Sequence, residues 1–228
     1  MFDRLELLIG KESLNKIKEK HIVVLGLGGV GGFVVESLIR SGIENITIID
    51  NDTIDITNIN RQIIALENNI GNNKTDEIEK RILSINKNVQ VEKINSFIDN
   101  TNIEEIFSKK IDYFVDACDT INTKKLVIKN CLDRNIPFIT CLGTGKRLNP
   151  EKLTICDIRK TKNDPIARIL RKYIKDENIK EKVLCCYSEE EPIKIESSTI
   201  ASSIFVPSTA GILISSYIIR DIIKKETK

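Results

Sequence analysis

Up to Pro150, short apolar runs alternate with longer segments whose apolar residues recur at helical spacing. The runs are nearly continuous in apolar character, which is typical of strands covered on both faces. The predicted strands are His21–Leu25, Asn45–Asp50, Val89–Ile94, Ile111–Asp116 and Pro137–Cys141. The predicted helices are Glu12–Lys20, Gly29–Ser41, Asn73–Asn86, Thr101–Phe107 and Asn122–Asn135.

Because strand and helix alternate, we expect an α/β fold: a Rossmann-like, doubly wound and mostly parallel sheet with helices on both faces. After Pro150 the pattern changes, and this C-terminal extension is expected to complete the sheet. The elements predicted there are a strand at Leu153–Ile158, a helix from Asp164 and Pro165 to Asp176, and a short strand at Val183–Tyr187. No linker separates two full domains. We therefore expect one domain over residues 1–228, with a first part in 1–150 and a second part in 151–228.

An uncharged segment, Ser197–Ile219, imitates a membrane span. It is rich in hydroxyl side chains and contains Pro207. Its most apolar part is shorter than the roughly 20 apolar residues of a lipid-spanning helix. We therefore expect a buried helix that begins near Pro207 and no membrane span.

Composition and cysteine usage narrow the function classes. The chain has 35 Lys and Arg against 33 Asp and Glu, so it is not a strongly basic nucleic-acid binder as a whole. The charged, amphipathic start, Met1–Lys20, is no signal peptide, and a reduced, cytoplasmic protein is expected. No two of the six cysteines have CxxC spacing, so a four-thiolate zinc site is not expected. His21 is the only histidine and precedes a core strand, which excludes a Ser/His/Asp triad.

A glycine-rich turn, Gly26-Leu27-Gly28-Gly29-Val30-Gly31, follows the first strand and precedes a helix. In this context Gly26 permits a tight turn, Gly28 the close approach of a phosphate, and Gly31 the packing of helix on strand. The helix N-terminus adds N–H donors. Asp50 ends the second strand, about 20 positions further on, where an acidic residue can accept from ribose hydroxyls.

Charged residues behind this turn go beyond what a plain dinucleotide site needs. Arg61 offers a fork of donors suited to phosphate oxygens. Lys74 opens a helix, where the macrodipole disfavours a cation unless an anion binds there. Asp119 follows a strand end and can hold magnesium through water or cap the next helix. Together they suit a triphosphate, which indicates ATP chemistry and not hydride transfer.

A second cluster of charge lies in the C-terminal part, where a local basic patch could contact a polyanion or form a solvated face. Its residues are Arg159, Lys160, Lys162, Arg168, Arg171, Lys172 and Lys175. The adjacent Cys185 and Cys186 could supply a nucleophile or be a pair of buried thiols. Buried thiols are favoured, because Glu189–Glu191 would raise a nearby thiol pKa.

Five motifs resemble the adenylating family that includes the ubiquitin-activating enzymes and the ThiF-type bacterial activators of sulfur-carrier proteins. They are GLGGVGG at Gly26–Gly32, IIDND at Ile48–Asp52, TNINRQ at Thr57–Gln62, GNNK at Gly71–Lys74 and DACDT at Asp116–Thr120. Within that family the chain is most similar to the tRNA threonylcarbamoyladenosine dehydratases. The segments that carry this similarity are Asn149–Lys175, Cys186–Glu190 and Phe205–Gly211. The resemblance covers nearly the whole chain, and it implies that residues 1–150 are the ATP-binding part and residues 151–228 the substrate- and tRNA-facing part.

The resemblance implies a homodimer that uses ATP and Mg²⁺ to activate the carboxylate of threonylcarbamoyladenosine in tRNA, after which the ureido group closes a ring with net loss of water. The nucleotide-binding residues would be Gly26, Gly28, Gly29, Gly31, Asp50, Asp52, Asn58, Arg61 and Lys74. The catalytic residues would be Arg61, Lys74, Asp119 as the magnesium ligand, and Arg4, which is placed like an arginine that reaches from the partner subunit. A monovalent cation and a sulfur-transfer partner protein also fit this family. The chain lacks the two CxxC pairs of the zinc-bearing members.

Three other functions stay open on the sequence alone. An adenylyltransferase for a small carrier protein with a Gly-Gly tail would share the ATP site. A nicotinamide-dependent oxidoreductase would need neither Arg61 nor Lys74. A non-enzymatic nucleotide-binding module would show no ATP turnover.

Overall fold

The computed structural model describes residues 1–197 and 200–224, so Ser198 and Thr199 of the uncharged segment lie outside the described residues. One sheet has seven strands in the order β3-β2-β1-β4-β5-β7-β6. The strands are β1 His21–Leu25, β2 Asn45–Ile49, β3 Gln90–Ile94, β4 Tyr113–Asp116, β5 Phe138–Cys141, β6 Leu153–Asp157 and β7 Leu184–Ser188. All neighbouring pairs are parallel except β6 and β7, which are antiparallel. The predicted α/β fold is confirmed, and β7 and β6 complete the sheet at one edge.

The predicted helices are all present, with small shifts at their ends, and one helix is new. The helices are α1 Asp3–Ile9, α2 Lys11–Glu19, α3 Gly31–Arg40, α4 Lys74–Ile85, α5 Ile103–Ile106, α6 Ile121–Asp133, α7 Pro165–Asp176 and α8 Phe205–Lys224. Sequence patterning missed α1 because its seven residues are fewer than the roughly 11 over which helical periodicity can be recognised.

The apolar side chains of the sheet supply two core clusters, one on each face. Val24 and Ile48 belong to the cluster that includes side chains of α3, α4 and α8. Val23 and Ile49 belong to the cluster that includes side chains of α6 and α7. Neighbouring residues divide in this way because successive side chains of a strand point to opposite faces. Both faces are therefore covered, as the continuous apolar runs predicted.

Helix α8 packs closely on α3. Among the described residues, it is the one helix whose length and composition alone would suit a membrane crossing. A Cβ added to Gly211 would lie 2.5 Å from the Val30 carbonyl oxygen, and Ser215 Oγ donates to the Val34 carbonyl over 3.1 Å. Such contacts require α8 to lie directly against α3, so α8 is the buried core helix that the sequence predicted.

A buried ion pair joins α6 to the carboxyl ends of β4 and β5. Lys124 Nζ lies 3.1 Å from Asp116 Oδ2, and both side chains are fully buried. The ammonium also donates to Thr140 Oγ1 over 3.2 Å and to the Cys141 carbonyl over 2.8 Å. Burial by itself would lower the pKa of Lys124, but the Asp116 carboxylate outweighs it and holds that pKa above its ordinary value.

Replacing Lys124 with methionine should lower the free energy of unfolding by about 3–5 kcal/mol, because Asp116 is left as a buried charge without its partner. Urea denaturation measures this difference. The double variant Lys124→Met/Asp116→Asn should recover part of the loss. Lys129→Met, at an exposed position of the same helix, is the control and should change stability by no more than about 0.5 kcal/mol. An unchanged free energy of unfolding in Lys124→Met would show that the buried ion pair with Asp116 does not stabilise the fold.

Candidate functional site

A cavity of about 450 Å³ lies at the carboxyl ends of β1, β2 and β4. In an open α/β sheet, ligands bind at this edge. Most of the predicted site residues line it: Gly26, Gly28, Gly29, Asp50, Asp52, Asn58, Arg61, Lys74 and Asp119. Gly31 lies in the first turn of α3 and does not line the cavity, and Arg4 lies on α1 outside it.

Asp50 holds the glycine turn in place. Its Oδ2 accepts from the Leu27 backbone N–H over 2.6 Å, and its Oδ1 accepts from the Asp52 backbone N–H over 2.8 Å. The Asp50 side chain is buried, directly after the last residue of β2. Each carboxylate oxygen has two acceptor sites, so Asp50 can still accept from a ribose hydroxyl while it anchors the turn.

Lys74 and Asp52 form an ion pair at the N-terminus of α4. Lys74 Nζ is 2.8 Å from Asp52 Oδ2, and the Lys74 side chain is only 6% exposed whereas that of Asp52 is 58% exposed. A buried ammonium in the first turn of a helix is opposed by the macrodipole and needs an anion beside it. Asp52 supplies that anion, and bound phosphate oxygens could supply another.

The 3-10 turn Ile56–Asn58 and the residues directly after it present Asn58 and Arg61 to the cavity. Arg61 Nη1 donates to the Thr57 carbonyl over 2.7 Å and to Asn60 Oδ1 over 3.0 Å. Its other guanidinium N–H groups make no hydrogen bond to a described residue and can serve a ligand. Asn58 Oδ1 accepts from the Asp55 backbone N–H over 3.2 Å, which fixes the buried Asn58 side chain. The polar groups of this segment are therefore oriented before any ligand binds.

Two lining groups have unused acceptors. Gln62 Oε1 is buried and has no hydrogen-bond partner among the described residues. Asp119 is exposed on the loop after β4, and its one hydrogen bond to a described residue is a long one of 3.5 Å from Thr120 Oγ1. Free carboxylate oxygen is the ligand type that Mg²⁺ prefers, and Mg²⁺ usually takes one or two carboxylates plus substrate phosphates. Asp119 therefore fits a magnesium ion that comes with a nucleotide.

The cysteines have the properties of structural thiols. All six are free, and the described residues contain no group of three or more His, Cys, Asp or Glu side chains placed to hold a metal. Cys118 lines the cavity, but burial, together with the Asp116 carboxylate, raises the pKa of its thiol. Burial likewise raises the pKa of the Cys185 thiol. The pKa of the Cys186 thiol is raised mainly by a hydrogen bond with Cys141 and, second, by burial. A thiol held in its neutral form is a poor nucleophile.

The structure adds lining residues that the sequence analysis did not assign to the site. They are Ser96, Phe97 and Ile98 after β3, Cys118, Thr120 and Thr123 near the start of α6, Thr144 after β5, and Ser202 and Pro207 near the start of α8. Phe97 and Thr144 each follow the end of a parallel strand, and that position could have predicted them. Ser202 and Pro207 come from a distant part of the chain, and only the packing of α8 reveals them.

The seven cations of the C-terminal part divide into two groups. Arg159 donates to the carbonyls of Ile179 and Glu181 and to Asp157, and Arg171 donates to Thr161, so these two guanidinium groups support the fold. The side chains of the other five are exposed and make no hydrogen bond or ion pair with a described residue. They are Lys160, Lys162, Arg168, Lys172 and Lys175. We call these five residues the basic face.

Comparisons with known proteins agree over most of the chain. Residues 2–147 match the ThiF family. The tRNA threonylcarbamoyladenosine dehydratase of Bacillus subtilis strain 168 is 38% identical over 240 aligned positions, which cover 98% of this chain and 94% of that protein. The crystal structure of the E. coli tRNA N6-threonylcarbamoyladenosine dehydratase TcdA in complex with ATP is similar with a TM-score of 0.92 and 32% identity. It covers 98% of this chain and 94% of that one. A structure of the same E. coli enzyme with AMP has a TM-score of 0.91 and 33% identity over 96% of this chain and 92% of that one.

Proposed function

The chain belongs to the ThiF family, and from this premise we propose that it is an ATP-dependent tRNA threonylcarbamoyladenosine dehydratase. Relatives with that name match it over almost its whole length. The observation that carries the proposal is the cavity in which a glycine turn, Arg61 and the buried Lys74 face one space. Such a set of fixed cations and backbone donors suits three phosphates better than it suits a nicotinamide.

In the proposed reaction, the carboxylate of threonylcarbamoyladenosine forms a bond to the α-phosphorus of ATP, and the bond to pyrophosphate breaks. The ureido group then attacks the activated acyl carbon, AMP leaves, and one proton goes to solvent. The attacking carboxylate is already ionised at neutral pH, so the first step needs no general base. The only histidine, His21, lies at the amino end of β1, opposite the cavity, so it could not act as a base there. A first step without a general base agrees with this position.

The chain's own groups stabilise charge on the phosphates. Arg61, Lys74 and the backbone N–H groups of the glycine turn would face the oxygens on which negative charge develops. Asp119 would hold Mg²⁺, which when bound neutralises phosphate charge. Asp50 would accept from the ribose, and the apolar side chains of Phe97 and Ile98 would receive the adenine base.

We assign the RNA contact to the basic face, and thus to the part of the chain in 151–228, while residues 1–150 carry the ATP site. Phosphate contacts supply sequence-independent affinity, because each one releases counterions from the nucleic acid. The five cations of the basic face are available for such contacts, whereas the side chains of Arg159 and Arg171 already donate to other groups of the chain.

The double variant Arg168→Gln/Lys172→Gln should raise KM for tRNA and leave kcat little changed. Each lost phosphate contact should reduce the slope of log affinity against log salt by about 1, so two should reduce it by about 2. Filter binding between low and moderate salt measures the slope. The control Lys80→Gln/Lys87→Gln removes two exposed cations of and beside α4. Equal slopes for the unaltered protein and Arg168→Gln/Lys172→Gln would remove the basic face from the RNA contact.

The proposed function itself is tested with purified tRNA that bears threonylcarbamoyladenosine, together with ATP and Mg²⁺. Digestion to nucleosides and mass spectrometry should show the loss of one water from the modified nucleoside, with one pyrophosphate released for each conversion. ATP–pyrophosphate exchange that depends on a carrier protein and not on tRNA would instead establish the adenylyltransferase. A larger thermal shift with NAD than with Mg-ATP would establish the oxidoreductase.

The proposal also includes a homodimer in the cytoplasm. Arg4 lies on the exposed helix α1, away from the cavity of its own chain. In a homodimer, Arg4 of one subunit would reach the phosphates of the other. We also propose, from its family alone, that the protein binds a monovalent cation and a sulfur-transfer partner protein.

A further inference from the structure

One arginine shapes the loop that brings Thr144 from the end of β5 to the cavity. The Arg147 side chain is almost fully buried. Its Nη1 donates to the carbonyls of Gly143 and Gly145 over 2.5 and 3.3 Å, and its Nε donates to the Glu190 carbonyl over 3.0 Å. The Gly143 and Gly145 carbonyls flank Thr144, so one planar guanidinium fixes the backbone on both sides of it.

The same guanidinium joins this loop to the start of α7. Arg147 Nη2 donates to Asp164 Oδ2 over 3.3 Å, and both side chains are buried. Asp164 Oδ1 in turn accepts from the Ala167 backbone N–H over 2.8 Å, which makes Asp164 the N-cap of α7. The cavity wall at Thr144 and the helix that carries Arg168 are therefore parts of one hydrogen-bonded unit.

Thr144 lies on the side of the cavity that faces this unit. The nucleotide-facing residues follow β1, β2 and β4, whereas Thr144 follows β5, which lies beside β7 and further from β2. Adjacent strands are about 4.8 Å apart, so Thr144 stands beyond Asp119 along the row of strand ends. The Thr144 hydroxyl makes no hydrogen bond to a described residue, although it lines the cavity. It is a free polar group between the nucleotide region and α7.

We propose that Thr144 contacts the carboxylate-bearing side chain of the modified base and that Arg147 is the positioning residue that holds Thr144 there. This inference rests on the proposed function, because it names where the acyl substrate of that reaction enters. The acyl group would come from the α7 side, with the RNA backbone on the basic face, and would meet the α-phosphate from the direction of β5. Arg147 makes no contact with substrate in this arrangement.

Thr144→Val and Arg147→Lys should each lower the single-turnover rate of tRNA conversion at saturating tRNA by about tenfold to 100-fold, because a misplacement of about 1 Å can have an effect of that size. KM for tRNA should change little, since the basic face is untouched. The Kd for Mg-ATP, measured by calorimetry, should stay within about twofold, since the phosphate-facing groups are unchanged. Thr144→Ser keeps the hydroxyl and should retain most of the rate.

A merely structural role would give a different pattern. Arg134→Lys is the matched control, because Arg134 also holds its neighbours, Asn130 and Glu104, but lies away from the cavity. Rates in Thr144→Val and Arg147→Lys equal to those of this control would overturn the inference, as would a parallel loss of Mg-ATP affinity. No conversion by the unaltered protein would overturn the proposed function and this inference together. Conversion by the unaltered protein with unimpaired variants would overturn this inference alone.

Discussion

Replacing Arg61 and Lys74 together with alanine should reduce the rate of pyrophosphate release in the presence of substrate tRNA by at least about 10³-fold. Removing one fixed donor from a transition-state charge typically reduces the rate by about 10²–10³-fold. The combined loss should be smaller than the product of the single losses, because both side chains act on the same phosphate oxygens. Arg61 reaches the cavity from the turn after β2, and Lys74 reaches it from the first turn of α4.

This double variant should still fold. Among the described residues, the Arg61 guanidinium donates only to the neighbouring Thr57 carbonyl and Asn60 side chain. Loss of Lys74 leaves Asp52, which is 58% exposed and can be hydrated. The thermal midpoint should therefore move by only a few degrees, as expected for a loss of about 1 kcal/mol. Lys80→Ala, an exposed cation on the same helix as Lys74, is the matched control. A folded double variant that binds Mg-ATP and reacts at the original rate would refute the triphosphate site.

The sheet could be predicted from the sequence because its signals are local. Continuous apolar runs such as His21–Leu25 appear only where both faces of a strand are covered, and helices such as α4 show an apolar stripe at helical spacing. Helix α1 was not predicted, although Leu5, Leu8 and Ile9 stand at helical spacing, because its seven residues are too few to establish a period. The antiparallel pairing of β6 with β7 was also beyond the sequence, since it depends on the loop path around α7 and not on any local pattern.

The nucleotide side of the site could be predicted for a related reason. Gly28, Asp50 and Asp119 follow strand ends, and parallel strands bring their carboxyl ends to one edge of the sheet. The sequence could not show which charged side chains bond to other groups of the chain and which are free to bind a ligand. Arg159 and Arg171 look like Arg168 in the sequence, yet their side chains donate to backbone carbonyls of the same chain. Arg147 gave no signal at all, because its role depends on carbonyls that only the folded loop brings together.

Two glycines of the turn have different roles: Gly31 allows close packing, and Gly28 allows a phosphate to approach. Alanine substitutions at the two positions should therefore have different effects. A Cβ on Gly31 would lie 1.7 Å from the Gly26 carbonyl oxygen, a backbone atom that cannot move without displacing the turn. Gly26 itself has φ +88° and lies against the Ala117 carbonyl, so it cannot yield. Gly31→Ala should therefore lower the free energy of unfolding by more than about 4 kcal/mol, a loss in the range of severe core disruption. Urea denaturation or, for an insoluble product, its partition to the pellet measures the effect.

Gly28→Ala should leave the stability of the fold nearly unchanged and weaken the binding of Mg-ATP. The nearest atom to a Cβ at Gly28 is Gln62 Nε2 at 3.7 Å, which is an ordinary contact, so the fold should keep its stability within about 1 kcal/mol. The added methyl group would nevertheless occupy the space through which a phosphate approaches the backbone N–H groups of the turn. Affinity for Mg-ATP should fall by about 100-fold, the equivalent of about 2.7 kcal/mol. If Gly28→Ala bound Mg-ATP as tightly as the unaltered protein, the phosphates would have to lie elsewhere in the cavity, and the glycine turn would serve only the packing that Gly31 already explains.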